Sequence, residues 1–242
     1  MNTKIIKTLL KNENLRILAL DETGSTNIAA KENAAAYDIF FAEKQTAGRG
    51  RFERRFYSPP ETGIYMSVIL RDVQNTTLIT PAAAVAVCRA VERLTGKKAQ
   101  IKWVNDILLG GRKICGILAE SAQDYVIVGI GINFTTDFSD FPDLNAAAVF
   151  ERNEKPTCMR EELAAGVINE FYGLCRDLSP SFMDEYRALS CLMGLNISYM
   201  QNNEKFFGTV TGIDDSGRLL VKDGEGRINA LSSGEVMLVR EE

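Results

Sequence analysis

Apolar and polar positions are ordered so that the chain changes texture near residue 193. Apolar spacing predicts a short helix over 3–12, a strand over 15–20 and a helix capped by Ser25 or Thr26 that runs to residue 36. Short apolar runs at 39–42 and 64–70 read as strands, and Ser58-Pro59-Pro60 keeps the segment between them irregular. Residues 80–94 are alanine-rich and apolar on nearly every side, which predicts a largely buried helix. Strand pieces at 100–103 and 107–109 lead to Gly110-Gly111, a two-residue hairpin turn, and runs at 112–119 and 125–132 complete a sheet. Leu163, Val167, Phe171 and Leu174 recur at helical spacing within 159–178, and 182–193 reads as another helix. From residue 195 short β runs, punctuated by Asp215-Ser216-Gly217 and Asp223-Gly224, predict a small barrel. The expected class is α/β (α+β) in two parts, 1–193 and a β-barrel over 194–242.

At 242 residues and 45% hydrophobic content the chain can bury a full core. A net charge of −4 and a pI near 5.2 argue against a broadly basic surface, so general binding to nucleic acid or acidic membranes is not expected. Positive charge is local instead. From Lys44 to Arg55 five basic residues stand against one acid, Glu53, a segment charge of +4. No apolar run reaches the roughly 18–20 residues that span a bilayer. Five cysteines without C-x-x-C spacing or a signal-peptide pattern fit a reducing cytoplasm. With no histidine, Ser-His-Asp and Cys-His catalysis and every His-ligated metal site are excluded, and no protein metal centre is expected.

Gln45-Thr46-Ala47-Gly48-Arg49-Gly50-Arg51 sets two glycines between guanidinium groups straight after an apolar strand. Glycine permits positive φ and close backbone approach, so such a loop can turn successive N–H groups toward an anion that arginines clamp. A phosphate or carboxylate site is the stronger reading and a solvated basic turn the weaker one. The 45–58 segment is also longer than most connections, as binding loops and lids are. Ser25-Thr26-Asn27 reads in isolation as a helix cap; the other reading is a set of hydroxyls and an amide that bind a polar head group.

Lys102-Trp103-Val104-Asn105-Asp106 and Gly110-Gly111-Arg112-Lys113-Ile114-Cys115-Gly116 form a further cluster. A regular hairpin pairs Leu109 with Arg112 and Leu108 with Lys113. It makes Asp106 and Lys113 diagonal neighbours but leaves Lys102 about 20 Å from Lys113 in an unbroken strand. A break over 104–106 that folds Lys102 back is therefore expected. For Asp106 and Lys113 the plainer alternative is a surface ion pair. Gly129-Ile130-Gly131-Ile132-Asn133 lets a ligand lie against strand backbone beside an amide, or is a glycine-kinked strand. Cys115 reads as a small buried hydrophobe.

These segments, with the closing Ser233-Gly234-Glu235-Val236, occur in the order found in the biotin protein ligases, which the chain resembles over residues about 20 to 240. The resemblance implies a catalytic domain like that of class II synthetases, a central mixed sheet flanked by helices, followed by an SH3-like barrel. It implies an ATP-dependent cytoplasmic enzyme that forms biotinyl-5′-adenylate and passes biotin to a lysine of a biotin carboxyl carrier protein. Mg2+ would accompany ATP, with no DNA or membrane partner. The non-regulatory class, without a winged helix, is implied, as a monomer or a homodimer. Carried over residue by residue, Ser25, Thr26, Asn27 and Gln45 would hold the ureido head of biotin. Gly48, Arg49, Gly50, Arg51 and Lys113 would meet its carboxylate and the phosphates, and Gly116, Leu118 and Gly129 would complete the biotin pocket. Phe56, Lys102, Asn105, Asp106 and Asn133 would join Arg51 and Lys113 around the nucleotide.

Arg49, Arg51 and Lys113 are implied as the catalytic cations, with no side-chain nucleophile. Departures from the family pattern are Val104 in place of proline, Phe56 in place of tryptophan, and Phe52-Glu53 interrupting a usual Arg-Gly. Lipoate and octanoate transfer use the same architecture, but with a histidine-bearing glycine motif or a cysteine-lysine pair that this sequence lacks. A biotin-sensing repressor and a pure binding module are the rivals from other classes.

Overall fold

The computed structural model describes residues 1–122, 124–201 and 204–239. Seven strands form one mixed sheet in the order β1-β2-β3-β7-β6-β5-β4. They are β1 (Ile17–Thr23), β2 (Ile39–Gln45), β3 (Gly63–Arg71), β4 (Gln100–Lys102), β5 (Asp106–Leu109), β6 (Arg112–Ser121) and β7 (Tyr125–Asn133). Among the described strands of this sheet, β1 and β2 run parallel, joined by the crossover helix α2 (Thr26–Glu32), and the other pairs are antiparallel. Helices α3 (Ile79–Thr95) and α4 (Arg160–Cys175) pack on each other, with α1 (Thr3–Leu9) against α4 and α5 (Met183–Leu189) against α3.

Side chains alternate across the sheet with a period of two, so each strand feeds two layers. Phe41, Val68, Val128 and Ile130 join the large core that holds α3 and α4. Phe40, Ile69 and Ile127 join Ala29 and Ala30 of α2 in a second, smaller cluster. Further along β3 and β7 this second face loses its apolar bulk. Ser67 and Gly129 pair across the strands, as do Tyr65 and Gly131, and Gly116 of β6 pairs with Gly131. The α2 face is therefore filled at one end and lined mainly by small residues at the other.

Element positions follow the apolar spacing closely, with differences at the ends. α2 stops at Glu32 instead of residue 36, because Asn33 already leaves helical geometry at φ −123° and ψ 21°. α5 covers seven residues, preceded by a 3-10 turn over Pro180–Phe182. The expected break between β4 and β5 is a tight turn that sets Lys102 opposite Asp106. Leu109 faces Arg112 and Leu108 faces Lys113, as a regular hairpin requires. A register shift then moves Asp106 opposite Gly116.

From residue 196 five antiparallel strands form a separate sheet in the order β11-β10-β9-β8-β12. These are β8 (Asn196–Gln201), β9 (Glu204–Ile213), β10 (Leu219–Lys222), β11 (Ile228–Leu231) and β12 (Val236–Leu238). Two turns use the same device, an aspartate that accepts the backbone N–H and the guanidinium of an arginine four residues on: Asp214 with Arg218 and Asp223 with Arg227. The indole N–H of buried Trp103 donates to Gly217 O at 2.8 Å, and Arg187 Nε donates to Ile213 O at 2.6 Å. Those bonds seat the small sheet against the β4–β5 turn and α5.

Asp38, just before β2, fastens the opposite end of the sheet. It accepts from Arg16 N at 3.0 Å, from the Arg16 guanidinium through both oxygens at 3.0 Å, and from Arg71 Nη1 at 2.7 Å. Burial opposes its ionisation, but the bonds from Arg16 and Arg71 outweigh it and hold the carboxyl at about 2, against 3.8 when free. The folded value lies below the unfolded one, so the stabilisation is complete above about pH 4 and is lost as pH falls toward about 2. Asp38→Asn is expected to cost about 2 kcal/mol at neutral pH. Denaturant melts of both proteins should converge as the buffer is taken down to about pH 2, and a gap that does not depend on pH would contradict this.

Candidate functional site

The stretch of small residues on the α2 face is the floor of a cleft of about 330 Å³. Its walls are the N-terminus of α2, the 46–62 loop, the segment after β7, the β4–β5 turn and the Gly234–Val236 edge of the small sheet. Every residue that the sequence reading placed in the site lines this cleft except Gly48.

One end carries hydroxyls and amides. Ser25 occupies the N-cap position of α2, yet its side chain makes no capping bond, so the capping explanation of this motif fails. Ser25 lines the cleft, with 3% of the residue exposed. Gln45 Oε1 accepts the Thr26 N–H at 2.9 Å, while Gln45 Nε2 donates to Ser58 Oγ at 2.9 Å. Asn27 Nδ2 donates to Glu120 Oε2 at 2.5 Å and to Leu118 O at 3.3 Å. Gly129 lies directly beneath the Asn27 amide, where any Cβ would collide with it.

The basic loop is a small hairpin. Gly50 N–H donates to Arg54 O at 2.7 Å and Phe56 N–H to Gly48 O at 2.9 Å, with Arg49 and Arg55 paired. Positive φ does not fall on its glycines, as the sequence suggested, but on Phe52 at 55° and Glu53 at 59°. Gly50 is extended at φ −114°, ψ −175°. Gly48 is needed for close approach: a Cβ there would lie 2.5 Å from Phe56 O and 2.8 Å from Ser58 Oγ. It supports the loop from behind, which is why it does not line the cleft.

The centre is cationic. Lys113 Nζ and Asp106 Oδ1 are 2.7 Å apart, both partly exposed. The ion pair foreseen as the plainer alternative is present, and it is part of the cleft wall. Arg51 donates through Nη1 to Asn105 Oδ1 at 3.0 Å and through Nη2 to Gly234 O at 3.2 Å. Burial lowers the Arg51 pKa, opposed by the charges of Asp106 and Glu235. Arg54 pairs with Glu235 at 2.7 Å, so the loop is tied to the small sheet at two points. The Phe56 ring sits on Gly131, where a Cβ would come within 2.6 Å of it, and stands edge-on to Tyr65. Lys102, Asn105 and Gly116 complete this region. Cys115, fully buried behind it, is held protonated by its burial.

The other end is aromatic and amidic. Tyr57 packs against Phe138 and Phe141, with ring centres 6.0 and 4.9 Å apart. Lys113 N donates to Asn145 O at 3.0 Å and Ala147 N to Lys113 O at 2.9 Å, so residues 145–147 run beside β6. Asn133 Nδ2 donates to Lys113 O and Ala147 O, which leaves Asn133 Oδ1 as a buried acceptor without a partner. Among the described residues no group of three or more Cys, Asp or Glu side chains is placed to hold a metal ion.

Sequence reasoning missed Tyr57, Phe138, Leu144, Asn145 and Ala146 at this end, and Ser67 and Glu120 behind the hydroxyl end. Ser67 carried a signal: it is the one polar residue in the apolar run 64–70. Phe138 and Phe141 are aromatic residues in an otherwise acidic loop, which is also a visible pattern.

A family model described as the Biotin/lipoate A/B protein ligase family matches residues 21–133, and one described as the Biotin protein ligase C terminal domain matches 197–239. The chain is 34% identical over 232 residues to the bifunctional ligase/repressor BirA of Bacillus subtilis (strain 168), with 86% of this chain and 68% of that protein covered. It is 34% identical over 239 residues to the biotin--[acetyl-CoA-carboxylase] ligase of Mycobacterium tuberculosis, with coverages of 90% and 87%. Its fold is similar to that of the Aquifex aeolicus biotin protein ligase solved in complex with biotin and ATP, at a TM-score of 0.82 and 27% identity over 93% of this chain and 99% of that one.

Gly48→Ala should force the hairpin away from Ser58 and cost about 1–3 kcal/mol, since the clash is with backbone. Limited proteolysis should then cut within 46–62 faster than in the unchanged protein. Equal stability and equal cleavage would show that the loop does not depend on this contact.

Proposed function

The chain belongs to the biotin protein ligase family, and we propose that this cleft joins biotin to a lysine of a biotin carboxyl carrier protein in two steps, with MgATP as co-substrate. The observation that carries this reading is the arrangement of the cleft: neutral hydrogen-bonding groups at one end, cations in the middle, and aromatic and amide groups at the other. Biotin has a ureido ring, an apolar valeryl chain and a carboxylate in the same order. The ureido group meets Ser25, Thr26, Asn27 and Gln45, the chain lies over Gly116, Leu118 and Gly129, and the carboxylate reaches Arg49, Gly50, Arg51 and Lys113. The purine lies toward Asn133, Asn145 and the Tyr57–Phe138 pair, with Phe56, Lys102, Asn105 and Asp106 around the ribose and phosphates.

In the first step a biotin carboxylate oxygen attacks the α-phosphorus. A P–O bond forms, the α–β anhydride bond breaks, and pyrophosphate leaves with the electron pair. Two anions must meet, so cations already in place lower the barrier more than they aid binding of either anion alone. Arg51 and Lys113 are fixed before substrate arrives by Asn105, Gly234 O and Asp106. In the second step a neutral lysine amine attacks the acyl carbon, the C–N bond forms, AMP leaves and the ammonium proton passes to water. The same cations favour the neutral amine over ammonium. No nucleophilic side chain is required, which suits a chain without histidine. The 46–62 hairpin, tied to Gly234 and Glu235, shields the hydrolysable anhydride until the carrier docks.

No helix among the described residues is long and apolar enough to cross a membrane. Five free thiols support a reducing cytoplasm as the place of action.

Incubation with biotin, MgATP and a carrier domain should add one biotin mass to the carrier; labelling with lipoate alone would overturn the proposal. In single-turnover assays Arg51→Ala and Lys113→Ala should each slow adenylate formation by about 10²- to 10³-fold while biotin affinity falls by less than about tenfold. Parallel losses in rate and affinity would instead give these residues a binding role.

A further inference from the structure

Phe52 sits at the tip of the basic hairpin with 62% of the residue exposed, and it joins neither apolar cluster. Its backbone is left-handed at φ 55°, as is that of Glu53 at 59°, a conformation that crowds any residue with a Cβ. An exposed ring on a strained backbone gives up stability twice. The ring nevertheless has a neighbour against its face: Arg51 Cζ lies over it, 4.9 Å from the ring centre. Adjacent side chains point to opposite faces of a strand and to different faces of a helix, so residue 52 does not ordinarily cover residue 51. The left-handed turn at 52–53 is what folds the ring back onto the guanidinium.

Arg51 is thereby held from three directions. Nη1 is tethered to Asn105 Oδ1 and Nη2 to Gly234 O, and the ring backs the carbon that joins them. An aromatic face attracts a cation through its quadrupole, which an aliphatic side chain of similar size does not. We infer that Phe52 is a positioning residue for Arg51: its ring keeps the guanidinium against Asn105 and Gly234 with one side shielded from water, so the cation meets the reacting phosphate already oriented and partly desolvated. This rests on the role of Arg51 proposed above. Phe52 itself acts only through Arg51. Phe52-Glu53 is also where the loop departs from the family pattern, so the device belongs to this chain.

The test is single-turnover adenylate formation from biotin and MgATP, with calorimetric biotin affinity and thermal melts, on the unchanged protein, Phe52→Asn, Phe52→Leu and Phe52→Trp. Asparagine tolerates the left-handed backbone and leucine keeps an apolar side chain, but neither has a ring. Both should form adenylate about five- to tenfold more slowly while biotin affinity moves less than about twofold, and Phe52→Trp should stay within about twofold of the unchanged rate. Phe52→Asn should melt no lower than the unchanged protein, because it relieves backbone strain. In an Arg51→Ala background the same asparagine substitution should leave the rate where it is, since its effect passes through Arg51. Phe52→Leu as fast as the unchanged protein, equal slowing with and without Arg51, or a lower melt for Phe52→Asn would overturn the inference. Undiminished adenylate formation by Arg51→Ala alone would instead sink the reading of Arg51, and this inference with it.

Discussion

Close approach to bare strand backbone is the constraint on which this molecule depends. Side chains from other elements can lie on a sheet only where the strands carry almost none of their own, and such strands lose the packing that normally holds them. β6 and β7 resolve the conflict by position. Ile127 is covered by α2, and beyond it Gly129, Gly131 and Gly116 form the cleft floor while the opposite face of the same strands stays in the main core. The Phe56 ring covers part of that floor, and Asn27 covers Gly129.

Charge placement follows from the same geometry. Lys113 lies over Gly116 and is held by Asp106 across the hairpin, while Arg51 is held by Asn105 and the Gly234 carbonyl. Such contacts hold the cations in position without neutralising both, and the small C-terminal sheet becomes part of the cleft wall. At the far end of β2 the Asp38 cluster fastens the sheet outside the cleft. Stability and chemistry are thereby separated along the strands.

Much of this was legible in the sequence because the signals were local. Apolar period placed nearly every strand and helix, and distance arithmetic along 102–113 required the turn that brings Lys102 beside Asp106. What escaped was set by tertiary packing. Gly48 looked like part of an anion loop, but its lack of a side chain serves Phe56 O and Ser58, which no local pattern reveals. Ser25 looked like a cap, but its side chain makes no capping bond, and the Thr26 N–H that opens the helix is taken by Gln45. Ser67 was hidden as one hydroxyl in an apolar strand, and the aromatic end depended on a loop folding back from residue 138 to β6.

The central claim is that one continuous cleft holds the head group on neutral hydrogen bonds and the reacting centre on fixed cations. A crystal structure with a non-hydrolysable biotinyl-adenylate analogue tests it most directly. The account predicts the ureido ring within hydrogen-bond reach of Ser25 and Thr26 and the phosphate within reach of Arg51 and Lys113. A phosphate bound away from both cations, or a ureido ring outside the Ser25–Gln45 end, would contradict it.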